Sequence, residues 1–180
     1  MIKSKKTKKN LSTTNSSYYC QDSIYEVIQV ACEWGFHSNT FVFNSFKYLA
    51  RIGKKTIGKK NILKDLRKAK YYIEKEKEII ETDSLNKTVM FQSSKLKSMS
   101  NEKKKLRQNV NLIMGEWGYS TRFDYHSSDN EKFFIVHKDL ISIFKRLNNC
   151  YGILHMDREH YLIILDKMTN RLDTMLNLMK

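Results

Sequence analysis

From Asn61 to Glu81 the chain has no glycine, and its apolar residues return every three or four positions. Ile62, Leu66, Ala69 and Ile73 form one stripe, the pattern of a helix with a single buried face. Its far end, Glu74-Lys75-Glu76-Lys77-Glu78, alternates in charge and reads as solvated. Proline is absent from the whole chain, which removes one helix breaker. The expectation is a mainly α protein.

Other segments fit this reading. A first helix is expected from Asp22 or Ser23, where Ser23 and Glu26 have capping-box spacing. Ile24, Val27, Ile28 and Ala31 continue it, and Gly35 stops it after Trp34. A second helix is expected from Thr40 to Ile52, ending at Gly53. These elements make an N-terminal helical hairpin or three-helix module over 18–82. Residues 1–17, with Lys3, Lys5, Lys6, Lys8 and Lys9, read as a disordered basic arm. Residues 83–100 read as a linker.

Residues 101–180 predict a small α+β region. Ser100 caps a helix carrying Leu106, Val110 and Ile113. Tyr119, Thr121, Phe123 and Tyr125 alternate as a strand does, Ser127–Asn130 reads as a turn, and Phe133–His137 predicts a second strand. Asp139–Leu147 reads as a short helix. Leu154 and Tyr161–Leu165 fit strands, and a C-terminal helix is expected from Asp166. The string Glu-Trp-Gly-aromatic occurs at Glu33–Phe36 and again at Glu116–Tyr119. Alone, that echo does not establish a repeat.

Length and composition narrow the function. At 180 residues the chain has room for one medium domain or two small ones, and 41% hydrophobic residues suffice for a packed core. No apolar run reaches the ~18 residues of a membrane span. Asn10–Ser17 is polar where a signal peptide is apolar. The three cysteines, Cys20, Cys32 and Cys150, form neither a metal clip nor an even disulfide set. Reduced thiols and a cytoplasmic location are expected, with no membrane partner.

The net charge of +14 favours anionic partners. It is concentrated: residues 47–70 hold ten cations and one acid, whereas 101–180 hold 13 cations and 10 acids. Asn44, Lys47, Tyr48 and Arg51 share one face of the second helix. Arg offers a planar fork to phosphate, Lys a point charge, and Tyr a ring for a base. Asp65, Lys68 and Tyr72 lie on one side of the third helix. The same spacing also fits an ordinary solvated face, and Asp65 an ion pair with Arg51 or Lys68.

Gly53–Lys60 nearly reads as a phosphate-binding loop of the G-x-x-x-x-G-K-[ST] type. Lys60 stands where the hydroxyl is required, and a helix precedes it rather than a strand. The five histidines show no metal spacing, so no protein-bound metal is expected. Glu74, Glu78 and Glu81 share a face, but interleaved lysines neutralise it.

The order of residues resembles a small helical bacteriophage family described as nucleotide kinase-like. The resemblance rests on Asn44-Ser45-Phe46-Lys47-Tyr48-Leu49-Ala50-Arg51-Ile52-Gly53-Lys54-Lys55, then Asp65-Leu66-Arg67-Lys68-Ala69, then Tyr72-Ile73-Glu74. It covers about residues 18–80. Two positions depart from it: the family's His is Tyr18 here, and its Gly before Asn is Phe43. The resemblance implies a nucleoside monophosphate kinase using ATP and Mg²⁺. Lys47, Arg51 and Asp65 would be catalytic. Asn44, Tyr48, Lys54, Lys55, Lys68 and Tyr72 would hold substrate and phosphate. It places the protein in the host cytoplasm. A homo-oligomer sharing sites between subunits is a further expectation, since one hairpin is a small cradle for two nucleotides. The alternative is a basic nucleic-acid-binding accessory protein without catalysis.

Overall fold

The computed structural model describes residues 19, 25–52, 54, 58–82, 101–117, 128–149 and 158–180. They form α1 (Val27–Glu33), a 3₁₀ turn (Phe36–Ser38), α2 (Thr40–Ala50), α3 (Lys59–Thr82), α4 (Asn101–Arg107), α5 (Val110–Glu116), α6 (Ser128–Asn149) and α7 (Arg158–Leu178). The expected basic arm, the 83–100 linker and the 119–125 strand lie outside the described residues.

Helices α2 and α3 largely follow their sequence signals, but α1 starts at Val27 rather than at Asp22 or Ser23, with Glu26 making no side-chain capping bond, and Glu76, expected solvated, is buried. Gly35 takes φ +80° and ends α1, a conformation that costs other residues about 1 kcal/mol or more. Asn39 caps α2, its Oδ1 accepting from the Val42 amide at 2.9 Å. On α3, Ile62, Leu66, Ala69 and Ile73 are all buried.

The C-terminal half departs from the expected α+β region: among its described residues every element is helical. Phe133–His137 belongs to α6, not to a strand. Its alternation is outweighed by a longer helical period, for Phe133, His137, Leu140, Ile141, Phe144 and Leu147 are all buried. Tyr161–Leu165 is likewise helical, and α7 starts before Asp166. The helix expected after Ser100 is broken at Asn109, whose side chain caps α5.

Core residues from both halves join in one cluster. Phe46 of α2 stands among Phe36, Trp34, Phe144 and Trp117, with ring centroids 5.2–5.6 Å away. The Trp34 indole donates to the Arg107 carbonyl at 3.3 Å. The Trp117 indole donates to the Tyr25 carbonyl at 2.8 Å. These are the two tryptophans of the Glu-Trp-Gly-aromatic echo, and each crosses into the other half.

The correspondence extends further. The buried positions of α3 are Ile62, Asp65, Leu66, Ala69, Ile73 and Glu76. Those of α7 are Tyr161, Ile164, Leu165, Met168, Leu172 and Met175, matching one for one at constant spacing. In the preceding helices, Ser45-Phe46-Lys47-Tyr48-Leu49 matches Ile143-Phe144-Lys145-Arg146-Leu147. Helices α3 and α7 run antiparallel, joined by Lys70–Asp173 and Lys77–Asp166. Their ends are tied reciprocally. Lys59, the first residue of α3, donates to the Lys180 carbonyl, and Arg158, the first of α7, donates to the Glu81 carbonyl. Lys59 and Arg158 are corresponding positions, and so are Glu81 and Lys180.

Candidate functional site

Helices α2 and α3 pack as an antiparallel hairpin, with the turn at Arg51 and Ile52 starting the connection. Arg51 lies at the C-cap of α2 and Asp65 on the second turn of α3, so the two side chains meet across it. The guanidinium Nη2 lies 2.6 Å from Asp65 Oδ1, and Nε is 3.2 Å from both carboxylate oxygens. The side chains are only 10% and 11% exposed, so this is a buried, two-pronged ion pair. Burial alone would lower the Arg51 pKa; the hydrogen bonds with Asp65 and Tyr19 outweigh it, and the pKa is raised. Arg51 is charged at any working pH.

Tyr48, one turn earlier on α2, lies beside that pair. The Arg51 guanidinium carbon is 4.2 Å from its ring centroid, a cation–π contact. Tyr72 of α3 stacks near-parallel to it, with centroids 5.8 Å apart and planes 13° apart. The Lys68 ammonium is 5.0 Å from the Tyr48 centroid and 3.4 Å from its hydroxyl. Lys47 Nζ is 5.7 Å from the same centroid and donates to Asn44 Oδ1 at 2.9 Å. Asn44 Nδ2 in turn donates to the Thr40 carbonyl. Seven of the expected residues, Asn44, Lys47, Tyr48, Arg51, Asp65, Lys68 and Tyr72, therefore form one cluster. Lys54 follows in the turn, its amide donating to the Arg51 carbonyl. Lys55 lies outside the described residues.

Arg51 and Asp65 satisfy each other within the cluster. Arg51 is not a free phosphate fork, because it donates to Asp65 through Nε and Nη2 and holds Tyr48 in place. Asp65 has both oxygens on Arg51. Glu74, Glu78 and Glu81 each lie within 4 Å of a lysine, Lys70, Lys75 and Lys77 respectively. Among the described residues no group of three or more His, Cys, Asp or Glu stands together as a metal site would.

The cations of α3 are sorted by face. Lys70 and Lys77 point to α7 and carry Asp173 and Asp166. Lys60, Lys64, Arg67 and Lys68 are exposed on the outer side, with no carboxylate at ion-pair distance among the described residues. Tyr71 continues this stripe, 53% exposed and edge-on to Tyr72. The sequence reading missed Tyr71 as a site residue, although its register with Lys60, Lys64 and Lys68 was a signal. It also missed Tyr19 as a partner of Arg51, which no spacing reveals.

No family model, curated protein or solved structure matches the chain.

Proposed function

We propose that the chain is a phage-type nucleotide-binding protein whose α2–α3 face takes the phosphates, as the resemblance over residues 18–80 implies. One observation carries this reading. Lys47 and Lys68 flank the Tyr48–Tyr72 stack, and their hydrogen-bond partners, Asn44 and Tyr48, are neutral. A phosphate oxygen is a stronger acceptor than an amide or phenol oxygen, so both ammoniums gain by turning to a phosphate. Lys70 and Lys77, already on carboxylates, gain nothing. The Arg51–Asp65 pair positions Tyr48, and the stacked phenols offer an edge for a base.

Phosphoryl transfer needs mainly alignment and charge neutralisation. In a monophosphate kinase an oxygen of the acceptor phosphate attacks the γ-phosphorus of ATP, and ADP leaves. Lys47 and Lys68 would neutralise the charge.

Calorimetric titration with nucleoside mono-, di- and triphosphates tests the binding. Lys47→Ala and Lys68→Ala are each expected to weaken it about tenfold, the worth of a charge-assisted hydrogen bond. Equal affinity of wild type and the double variant would overturn the reading. Chromatography after incubation with ATP, Mg²⁺ and nucleoside monophosphates then separates a kinase from a binder.

A second reading, binding of single-stranded nucleic acid, is favoured by the outer stripe of α3. From Lys60 to Tyr71 it runs about 16 Å, longer than one phosphate needs, with an open ring at its end. Binding by that stripe would weaken steeply with salt and would rise with oligonucleotide length.

A further inference from the structure

We infer that the chain is two copies of one helical unit, packed face to face about an approximate two-fold, and that the second copy presents a second phosphate-binding face on α6–α7. The second face rests on the reading of α2–α3 given above.

The first part stands on reciprocity. In a two-fold contact, whatever one unit does to its partner the partner does in return. The indoles of Trp34 and Trp117 each donate into the other half. The first residues of α3 and α7 each bond the far end of the other helix. The buried positions of the two long helices coincide. Corresponding side chains also make corresponding local bonds. Asn44 donates to the Thr40 carbonyl, and Ser142, its counterpart, donates to the Lys138 carbonyl. Phe41 touches Tyr72, and their counterparts, Asp139 and Arg171, form an ion pair.

This register carries the α2–α3 site onto the second copy. Lys47 and Lys68 correspond to Lys145 and Lys167, so both ammoniums are kept. Tyr48 corresponds to Arg146, a cation in place of a ring. Asp65 corresponds to Ile164, so the buried ion pair belongs to the first copy alone. Arg146 and Lys167 are exposed and Lys145 is half-buried. None of the three has a carboxylate at ion-pair distance among the described residues. The face thus keeps the charges that hold phosphate and lacks the phenols that meet a base. Its ligand is a phosphate group bound without base selection, as free pyrophosphate or as the phosphates of a nucleotide.

Calorimetry on the full chain tests this with pyrophosphate and with nucleoside diphosphates of each base. Wild type is expected to take two equivalents of pyrophosphate. Lys145→Ala/Arg146→Ala/Lys167→Ala should remove one, and Lys47→Ala/Lys68→Ala the other. Nucleoside diphosphates should show base preference only at the site that the triple variant spares. All five substitutions lie outside the fully buried core, and unchanged circular-dichroism melting of each variant verifies the fold. One equivalent in wild type, lost in Lys47→Ala/Lys68→Ala and kept in the triple variant, would overturn the second face and leave the α2–α3 reading standing. No binding by wild type would overturn both. Uptake beyond two equivalents, indifferent to either variant, would mean diffuse charge attraction and would overturn both as well.

Discussion

Three buried ionisable side chains carry the sharpest residue-level consequences. Asp65→Ala would leave the Arg51 guanidinium buried without its carboxylate, and breaking such a pair costs about 3 kcal/mol or more. Urea unfolding should show that loss, and Arg51→Leu/Asp65→Ile, which restores apolar packing, should recover much of it. Glu76 is buried where α3 meets α7, and its Oε1 accepts from Asn39 at 2.7 Å and Tyr161 at 3.0 Å. Burial raises its pKa, and the two hydrogen bonds offset that only in part. A carboxyl with a raised folded pKa supports the fold below its unfolded value, near 4.5, and that support fades as pH climbs through the raised value. Glu76→Gln keeps the acceptor without the charge, so it should raise Tm above the raised pKa and flatten the fall in stability that begins near pH 4.5. His137 behaves in the opposite sense. Full burial in α6 lowers its pKa from 6.5 to about 3. Its contribution is complete above about pH 6.5 and is lost as pH falls towards 3. His137→Leu should move the acid unfolding midpoint to lower pH.

At the scale of elements, the sequence was most legible where apolar spacing and a stop signal agreed. The α3 stripe, the helix from Thr40 and the Gly35 stop are all readable, because each rests on local geometry. Gly35→Ala should cost about 1 kcal/mol or more in thermal unfolding, since only glycine takes that φ without strain. Residues 133–137 are helical although Phe-Phe-Ile-Val is strand-prone and apolar on every side. Only the packing of α6 against α5 and α7 selects the helical period. The candidate site was legible in part. Spacing put Asn44, Lys47, Tyr48 and Arg51 on one face, and Asp65, Lys68 and Tyr72 on another. It left open whether Asp65 faced a ligand or Arg51, because that is decided by how the two helices pack. Tyr71 is hard to single out because spacing alone does not separate it from the adjacent Tyr72.

For the whole molecule, the reciprocal ties between α3 and α7 predict a single unfolding event. Neither long helix can expose its stripe without stripping the other, and the aromatic cluster around Phe46 draws on both halves. Native-state hydrogen exchange should give the slowest amides of α3 and α7 one common opening free energy. Two separated values would show that the halves open independently. The chemistry is nonetheless uneven: the Arg51–Asp65 pair, the Tyr48–Tyr72 stack and Glu76 all sit in the first half. Their counterparts Asn149, Ile164, Arg146, Arg171 and Met175 have diverged in type.

The likeness of α3 to α7 also bears on how the chain is made. A ribosome delivers α3 before α7 exists, and until then the part of the α3 stripe that α2 does not cover has only solvent to meet. The nearest match for that stripe on a crowded message is the α3 of the neighbouring nascent chain. Rapid expression should therefore yield a fraction of exchanged pairs, in which the first half of one molecule closes on the second half of another. Size-exclusion chromatography would resolve them at twice the monomer mass, and slowing translation should diminish them.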